Sequence, residues 1–536
     1  MAGLRGWFRV ALPALVLVAA LGAGGYRSTE WALVGVLVAA TALARPGVSP
    51  WEPSSRTATG IVVLLTGQFV VRVLLLPTAD QPLGTDWFAY LRNAVALADG
   101  DWDAWHRWRG PLHAALCVVL TPIAGGLVEA SQLLSLVCLT ATIPMTAALV
   151  GRLTSRSVGF TAAALLALWP DLTLFARYST PYALLTAVLL ASAWCAARAR
   201  EDGRWAAGTG VFLAATVLTD ARGPVLAATV VAGMFLLRLP LRRVALATGV
   251  AVGVAGTVYT VFPVDLVPLA EQVGLQRDLN ASTQLEVCAV ERGAFPTPAE
   301  LVGPCARATL SDNLARAQRV IPVSLAFVAG LALLGIGRPT WFLVVPILPA
   351  LPSLLLVRVM HRYGVPLAPF GVGLAAVALD RVVAPVPRGR RLLLGGLVVA
   401  AMLPWTEFPG TLSARAWGER PPGGSAFGVV LNEDRGLVHV RRLLREADDE
   451  AIVVDCARAG MRLRLYPRAV EERGTGRADR QPRRCRTLLA NGSPTPMWLL
   501  MVVGADAPIA PSWTVAYRWT RGDGDVVLLQ GSEPPP

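Results

Sequence analysis

Residues 84–111 read GTDWFAYLRNAVALADGDWDAWHRWRGP, the longest polar interruption before residue 263. On either side lie segments apolar enough to sit in a bilayer. Trp87, Tyr90, Leu91, Ala94, Val95 and Ala98 recur at helical spacing, while Arg92, Asn93 and Asp99 fall on other faces. This pattern predicts an amphipathic helix lying at a membrane surface. Asp86 stands at its N-terminal end. The expectation is a chain that encloses a membrane cavity, with this loop bringing a carboxylate to the cavity mouth.

The rest of the composition agrees. Of 536 residues, 54% are hydrophobic and 16% charged, whereas soluble domains carry about 25% charged residues. Apolar runs of membrane-spanning length recur. They fall at Phe8–Tyr26, Trp31–Ala44, Thr57–Pro77, Pro111–Val150, Val158–Phe175, Pro181–Ala197, Trp205–Thr219, Pro224–Leu237 and Val244–Phe262. After a polar loop, Pro263–Arg319, come Val320–Ile336, Trp341–Val357, Gly364–Leu379 and Leu392–Phe408. No cleavage site stands out after the first basic residues, so the first helix is read as retained. The net charge is +13, and every basic residue is Arg. These arginines are scattered over loops rather than massed on one face, which argues against nucleic acid.

Loop charge orders the spans. Arg5 and Arg9 place the N-terminus inside, and the short basic loops around Arg152, Arg198, Arg238, Arg338 and Arg388 should also be inside. The pattern closes only if Pro111–Val150 crosses once. Pro111–Gly125 is then a half-membrane or surface helix and Ser131–Val150 the span. The fold class expected is an α-helical polytopic membrane protein of about 13 spans. Its parts are an N-terminal hairpin (1–56), a membrane domain (57–408) with external loops at 78–110 and 263–319, and a small external α/β domain (409–536). In that domain Leu437–Arg445 reads as helix, and Ala451–Asp455, Met497–Val503, Val515–Trp519 and Asp525–Gln530 as strands. Cys288 with Cys305, and Cys456 with Cys485, form two pairs in two polar regions, so two disulfides on an oxidising side are expected, against a plain reading as free thiols.

Some arginines break the loop rule. Arg177, Arg222, Arg358 and Arg362 lie at short external turns, and Arg72 lies inside a span near its outer end. Each alone could snorkel to lipid headgroups. Together on one face they point to an anionic ligand.

A resemblance now takes shape. Asp86, Tyr90, Ala94, Leu97, Gly100 and Pro111-Leu112 resemble the first external loop of the GT-C superfamily membrane glycosyltransferases. The nearest branch is the protein mannosyltransferase and aminoarabinose transferase group. Trp87 stands where the family carries Glu, and Gly110 where it carries Pro. Trp169-Pro170 and RYSTPYALL at Arg177–Leu185 resemble the second external turn, with Pro181 at an acidic position that Asp171 could replace. LTDARGP at Leu218–Pro224 resembles the family's LTR-type turn, and HRYGVPLAP at His361–Pro369 the start of a late span.

What the resemblance implies is an inverting sugar transfer from a polyprenyl-phosphate donor, outside a bacterial cytoplasmic membrane, to a lipid, glycan or protein acceptor. Bond cleavage leaves a phosphate that needs fixed positive charge, which Arg supplies in bidentate geometry. The candidates are Arg177, Arg222, Arg358, Arg362, His361 and Arg72. The attacking hydroxyl must lose a proton, so a placed carboxylate is needed. Asp86 is the candidate base, with Asp80 and Asp171 as competitors, and an N-cap is its structural alternative. Tyr90 and Tyr363 are candidates for the sugar pocket or for an interfacial aromatic belt. Asp99, Asp101 and Asp103 form an acidic triplet that could take a divalent cation or be a solvated turn. His106 and His113 are weak metal evidence, and no cofactor is expected. The rival functions are a polysaccharide polymerase or ligase and a transporter or flippase of lipid-linked sugars. A transporter should show an internal repeat, which the sequence does not display clearly.

Overall fold

The structure is a computed structural model. It describes residues 55–75, 85–100, 109–176, 180–262, 338–349 and 361–383, and in the C-terminal part 443, 452–455, 470–473, 487, 489–491, 497–503, 509–521 and 524–531. Outside the described residues lie the first two expected spans, the loop 263–319, the spans Val320–Ile336 and Leu392–Phe408, and all four paired cysteines. The chain divides into two compact units, Met1–Val73 with Asn93–Phe408, and Leu74–Arg92 with Pro409–Pro536.

The first unit is helical. Its helices are α1 (Ser55–Leu75), α2 (Thr85–Asp99), α3 (Pro111–Ala124), α4 (Leu127–Leu153), α5 (Arg156–Leu168), α6 (Pro170–Phe175) and α7 (Pro181–Arg198). They continue with α8 (Arg204–Thr219), α9 (Gly223–Leu236), α10 (Leu241–Val261), α11 (Arg338–Val344) and α12 (Ala368–Val383). The unit boundaries cut α1 after Val73 and α2 after Arg92. Among the described residues, α7, α10 and the stretch Glu129–Leu153 of α4 are long and apolar enough to cross a membrane.

Local chemistry explains the breaks. Gly125 takes φ 83° and ends α3, its N–H donating to the Thr121 carbonyl at 3.0 Å. A left-handed C-terminal residue suits glycine because it has no Cβ. The apolar stretch 111–150 is therefore two helices, divided at the Gly125-Gly126 pair. Val158–Phe175, read as one span, is also two helices. Pro170 disfavours helical geometry at the residue before it, and Trp169 is extended, φ −67° and ψ 125°.

The centre of the bundle is α7, with 83% of its apolar window buried against 17% for α10. It packs on α4, α8, α9 and a 3-10 helix at His361–Leu367, which also packs on α6 and leads into α12. Small residues allow this: Ala183, Ala191, Ser192, Ala193, Ala196 and Ala197 of α7 are all buried.

The second unit holds a five-stranded sheet of order β2-β1-β3-β5-β4. Its strands are β1 (Ile452–Asp455), β2 (Val470–Arg473), β3 (Met497–Val503), β4 (Trp513–Arg521) and β5 (Gly524–Gly531). β1 runs parallel to β2 and β3, and β5 runs antiparallel to β3 and β4. Leu499 and Met501 on β3 meet Val527 and Leu529 on β5, with Leu489 and Trp513, in one apolar core. Alternate residues of a strand share a face, so these strands point one apolar row inward.

Candidate functional site

The turn between α8 and α9 carries an ion pair, Asp220 with Arg222. Helix α8 stops at Thr219, and Asp220 is extended, φ −153° and ψ 154°. Its Oδ1 accepts two bonds from one residue, the Arg222 backbone N–H at 3.1 Å and Arg222 Nε at 2.7 Å. Asp favours such local turns because its short side chain reaches the backbone two residues on. The Gly223 N–H closes the turn onto the Asp220 carbonyl at 2.8 Å, and Pro224 opens α9.

Two neighbours complete the arrangement. The Arg222 guanidinium carbon lies 4.7 Å from the centre of the Tyr182 ring, in the first turn of α7. Tyr182 is buried and meets Phe175 edge-on at 6.4 Å. Arg109, also buried, acts on the Asp220 carboxylate through its charge. Arg109 is held there by backbone contact. A Cβ on the adjacent Gly110 would collide with the Leu218 carbonyl and with Thr219. Below this layer the Tyr259 hydroxyl of α10 donates to the Val217 carbonyl at 3.0 Å. That carbonyl lies in the last turn of α8, where helical partners run out.

The electrostatics follow. Burial pushes the Asp220 carboxyl upward, but Arg222 and then Arg109 hold it below the usual carboxylate range. Asp220 is therefore an anion flanked by two cations. The Asp220 side chain is 8% exposed and that of Arg222 35%, so the arginine reaches beyond the carboxylate that holds it. Thr180, at the N-cap of α7, is fully buried, and its hydroxyl has no hydrogen-bond partner among the described residues.

Of the residues expected from sequence, Arg222 lies in this cluster. The 3-10 helix bearing His361, Arg362 and Tyr363 packs on α6, which carries Asp171, and on α7, which carries Tyr182. For those four sequence-expected residues only the backbone is described. Asp86 is in the first turn of α2, within the second unit, and Arg72 is in α1; again only the backbone is described. Tyr90 is half-buried on α2. Asp80, Arg177 and Arg358 lie outside the described residues, as do Cys288, Cys305, Cys456 and Cys485. Asp220, Tyr182 and Arg109 were not expected. The acid two residues before an arginine, on a turn, was the available signal for Asp220. Arg109 directly precedes the Gly110-Pro111-Leu112 motif, and nothing in the sequence pairs it with residue 220.

A second buried polar group joins α3 to α4. His113 Nε2 lies 3.3 Å from Ser131 Oγ, with Cys117 Sγ 3.8 Å from the same nitrogen. Among the described residues no three His, Cys, Asp or Glu side chains are grouped to hold a metal ion. Asp99 is exposed at the end of α2, and Asp101, Asp103 and His106 lie outside the described residues.

Residues 108–266 match the family described as dolichyl-phosphate-mannose-protein mannosyltransferase. This stretch contains Arg109, Tyr182, Asp220 and Arg222. No curated protein matches the sequence. Among solved structures, ArnT from Cupriavidus metallidurans bound to undecaprenyl phosphate is similar, with a TM-score of 0.57 at 16% identity. The match covers 88% of this chain and 98% of that one. The apo state of ArnT from the same organism gives a TM-score of 0.53 at 16% identity, covering 89% and 99%. At such identity the likeness shows the fold. In its central sequence and in its fold, this multi-pass membrane protein resembles the GT-C glycosyltransferases of the protein mannosyltransferase and aminoarabinose transferase kind.

Proposed function

We propose that the chain transfers a sugar from a polyprenyl-phosphate donor to an acceptor outside the cytoplasmic membrane. The observation that carries this reading is the cluster of Arg222 and Arg109 around buried Asp220, inside the family-matched stretch. Its net charge is positive. It lies between α8 and α9, helices apolar enough to sit in a bilayer. A donor with its tail in lipid brings its phosphate to such a place. The undecaprenyl phosphate bound to ArnT, whose fold this chain shares, is a ligand of that chemistry. The orphaned Thr180 hydroxyl, two residues before Tyr182, suits a polar ligand as well.

In the reaction an acceptor oxygen attacks the anomeric carbon, and the bond from that carbon to the phosphate oxygen breaks. The leaving polyprenyl phosphate takes the bonding pair, and Arg222 and Arg109 stabilise the charge it gains. Asp86 takes the proton of the acceptor hydroxyl, with Asp80 and Asp171 as the other carboxylates for this task. Arg177, Arg358, Arg362, His361 and Arg72 are further phosphate ligands in this reading, and Tyr90 and Tyr363 line the sugar pocket. The same reading has about 13 spans, with residues 263–319 and the C-terminal α/β domain outside and their cysteines paired.

The test is sugar transfer from a polyprenyl-phosphate donor by the purified chain in detergent, with thermal stability measured alongside. Asn caps a helix nearly as well as Asp, so Asp86→Asn keeps the helix start and removes the proton acceptor. Transfer should fall by about 100- to 10,000-fold at unchanged stability. Activity within about threefold of wild type, well short of what a general base contributes, would move the role to Asp80 or Asp171.

A further inference from the structure

The site raises a question the donor reading does not answer. Arg222 is the N-cap of α9, and its guanidinium lies over a ring in the first turn of α7. Helix N-termini carry partial positive charge and disfavour cations. Arg222 nonetheless sits beside two of them, with Arg109 adding a third positive influence on the same carboxylate. A flexible arginine would turn away from such a place. Two contacts oppose this. The bond from Nε to Asp220 Oδ1 fixes the rotation of the guanidinium within its plane. The Tyr182 ring at 4.7 Å lies against the guanidinium and limits its tilt.

We infer that Asp220 and Tyr182 are positioning residues, which set Arg222 so that its two terminal nitrogens face the donor phosphate as a ready-made fork. The bond to Asp220 uses the Nε edge of the planar guanidinium, and Nη1 with Nη2 forms a separate edge. That edge matches two phosphate oxygens at once. Asp220 itself touches no reacting atom. This inference rests on the polyprenyl-phosphate reading above and deepens it.

Asp220 also shapes the turn, so a useful substitution must spare that role. Asn makes the same local turn as Asp but bonds Nε without charge. The full chain in detergent is tested with undecaprenyl phosphate as the probe, binding being measured for wild type, Asp220→Asn, Arg222→Gln and the double variant. Asp220→Asn should weaken binding about three- to tenfold, the scale of re-ordering one long side chain. In the Arg222→Gln background the same change should cost less than about twofold, because no fork remains to be set. Tyr182→Phe, which keeps the ring face, should bind more tightly than Tyr182→Leu.

An equal loss in both backgrounds would show that Asp220 serves the fold alone, and would overturn the inference. Unchanged or tighter binding by Asp220→Asn would overturn it too, since Asp220 would then merely compete with the phosphate for charge. If Asp220→Asn does not fold, Asp220→Glu replaces it, keeping the charge and displacing the carboxylate, with the same expected dependence on Arg222. Wild type that fails to bind the probe would remove the donor reading itself. Wild-type binding with additive variants would remove only the positioning role.

Discussion

The two ends of the α7–α8 hairpin both carry arginines and use them differently. At the end where α7 stops and α8 starts, Arg198 lies between two rings, 5.5 Å from Trp194 and 4.9 Å from Trp205. Arg243 donates to the carbonyls of Ala199 and Arg200, and Arg152 pairs with the exposed Glu201. Arg198 and Arg152 lie in the last turns of α7 and α4, where the helix dipole favours cations, and Arg243, in the first turn of α10, reaches the unpaired carbonyls just past α7. No ligand is needed to explain them. At the other end Arg222 faces two helix N-termini, and a buried carboxylate holds it there. At this end a local carboxylate, not a helix C-terminus, holds the charge in place.

Four experiments would break or sharpen that contrast. The largest effect should come from the arginines themselves. On the donor reading proposed above, Arg222→Gln removes a bidentate contact and should cost about 1.5–3 kcal/mol of lipid-phosphate binding. Arg198→Gln, measured the same way, should stay within about twofold, because this half-buried cation is already satisfied by two rings. Equal losses at both ends would erase the contrast.

Next come the glycines. Gly110→Ala drives a methyl group into the Leu218 carbonyl and should lower thermal stability by about 1–3 kcal/mol. Gly203→Ala, at the opposite end, meets only the Arg243 side chain at 3.4 Å and should be tolerated. Similar unfolding temperatures for the two variants would contradict the close backbone approach that fixes Arg109.

A smaller effect belongs to the tryptophans. Arg198→Met keeps the apolar stem and removes the charge, and should cost about 0.5–1 kcal/mol of stability as the two cation–ring contacts are lost. Donor binding should not respond.

The last expectation concerns pH and is close to zero in the neutral range. The Asp220 carboxyl titrates lower in the folded protein than in the unfolded chain. Its stabilising contribution is therefore complete above the ordinary value near about 3.9 and is lost as pH falls through the lower folded value. The difference in unfolding temperature between wild type and Asp220→Asn should be flat from pH 8 to about pH 5 and should shrink only below about pH 4. A difference that changes between pH 6 and 8 would mean that Asp220 is not held ionised by its arginines.

Much of the architecture was legible in advance. Runs of apolar residues located the helices, because lipid leaves an apolar chain no other way to satisfy its backbone. Gly125-Gly126 divides one long run, and Pro170 divides another, Val158–Phe175, where apolar residues resume directly after Pro170-Asp171 and make the run read as continuous. The strand β3 was visible as MWLLMVV, whereas β2, the short charged VEER, was not. Its place in the sheet comes from backbone pairing with β1 rather than from its side chains. The placement of Arg222 at the turn between two apolar helices was equally readable, because the ends of apolar runs are visible in the sequence.

By itself, then, the sequence marked which segments are apolar enough to enter a membrane, and it singled out Arg222 by loop charge and Asp86 by its place before an amphipathic helix. The tertiary structure decided which charges share one turn. Arg109 and Tyr182 lie far from residue 220 along the chain, and no periodicity or motif joins them. They meet Asp220 and Arg222 because Gly110 lets one backbone press against the end of α8, and because α7 and α8 pack side by side with their ends aligned. Such contacts follow from the shapes of packed helices, which are properties of three dimensions and have no signature in a linear pattern.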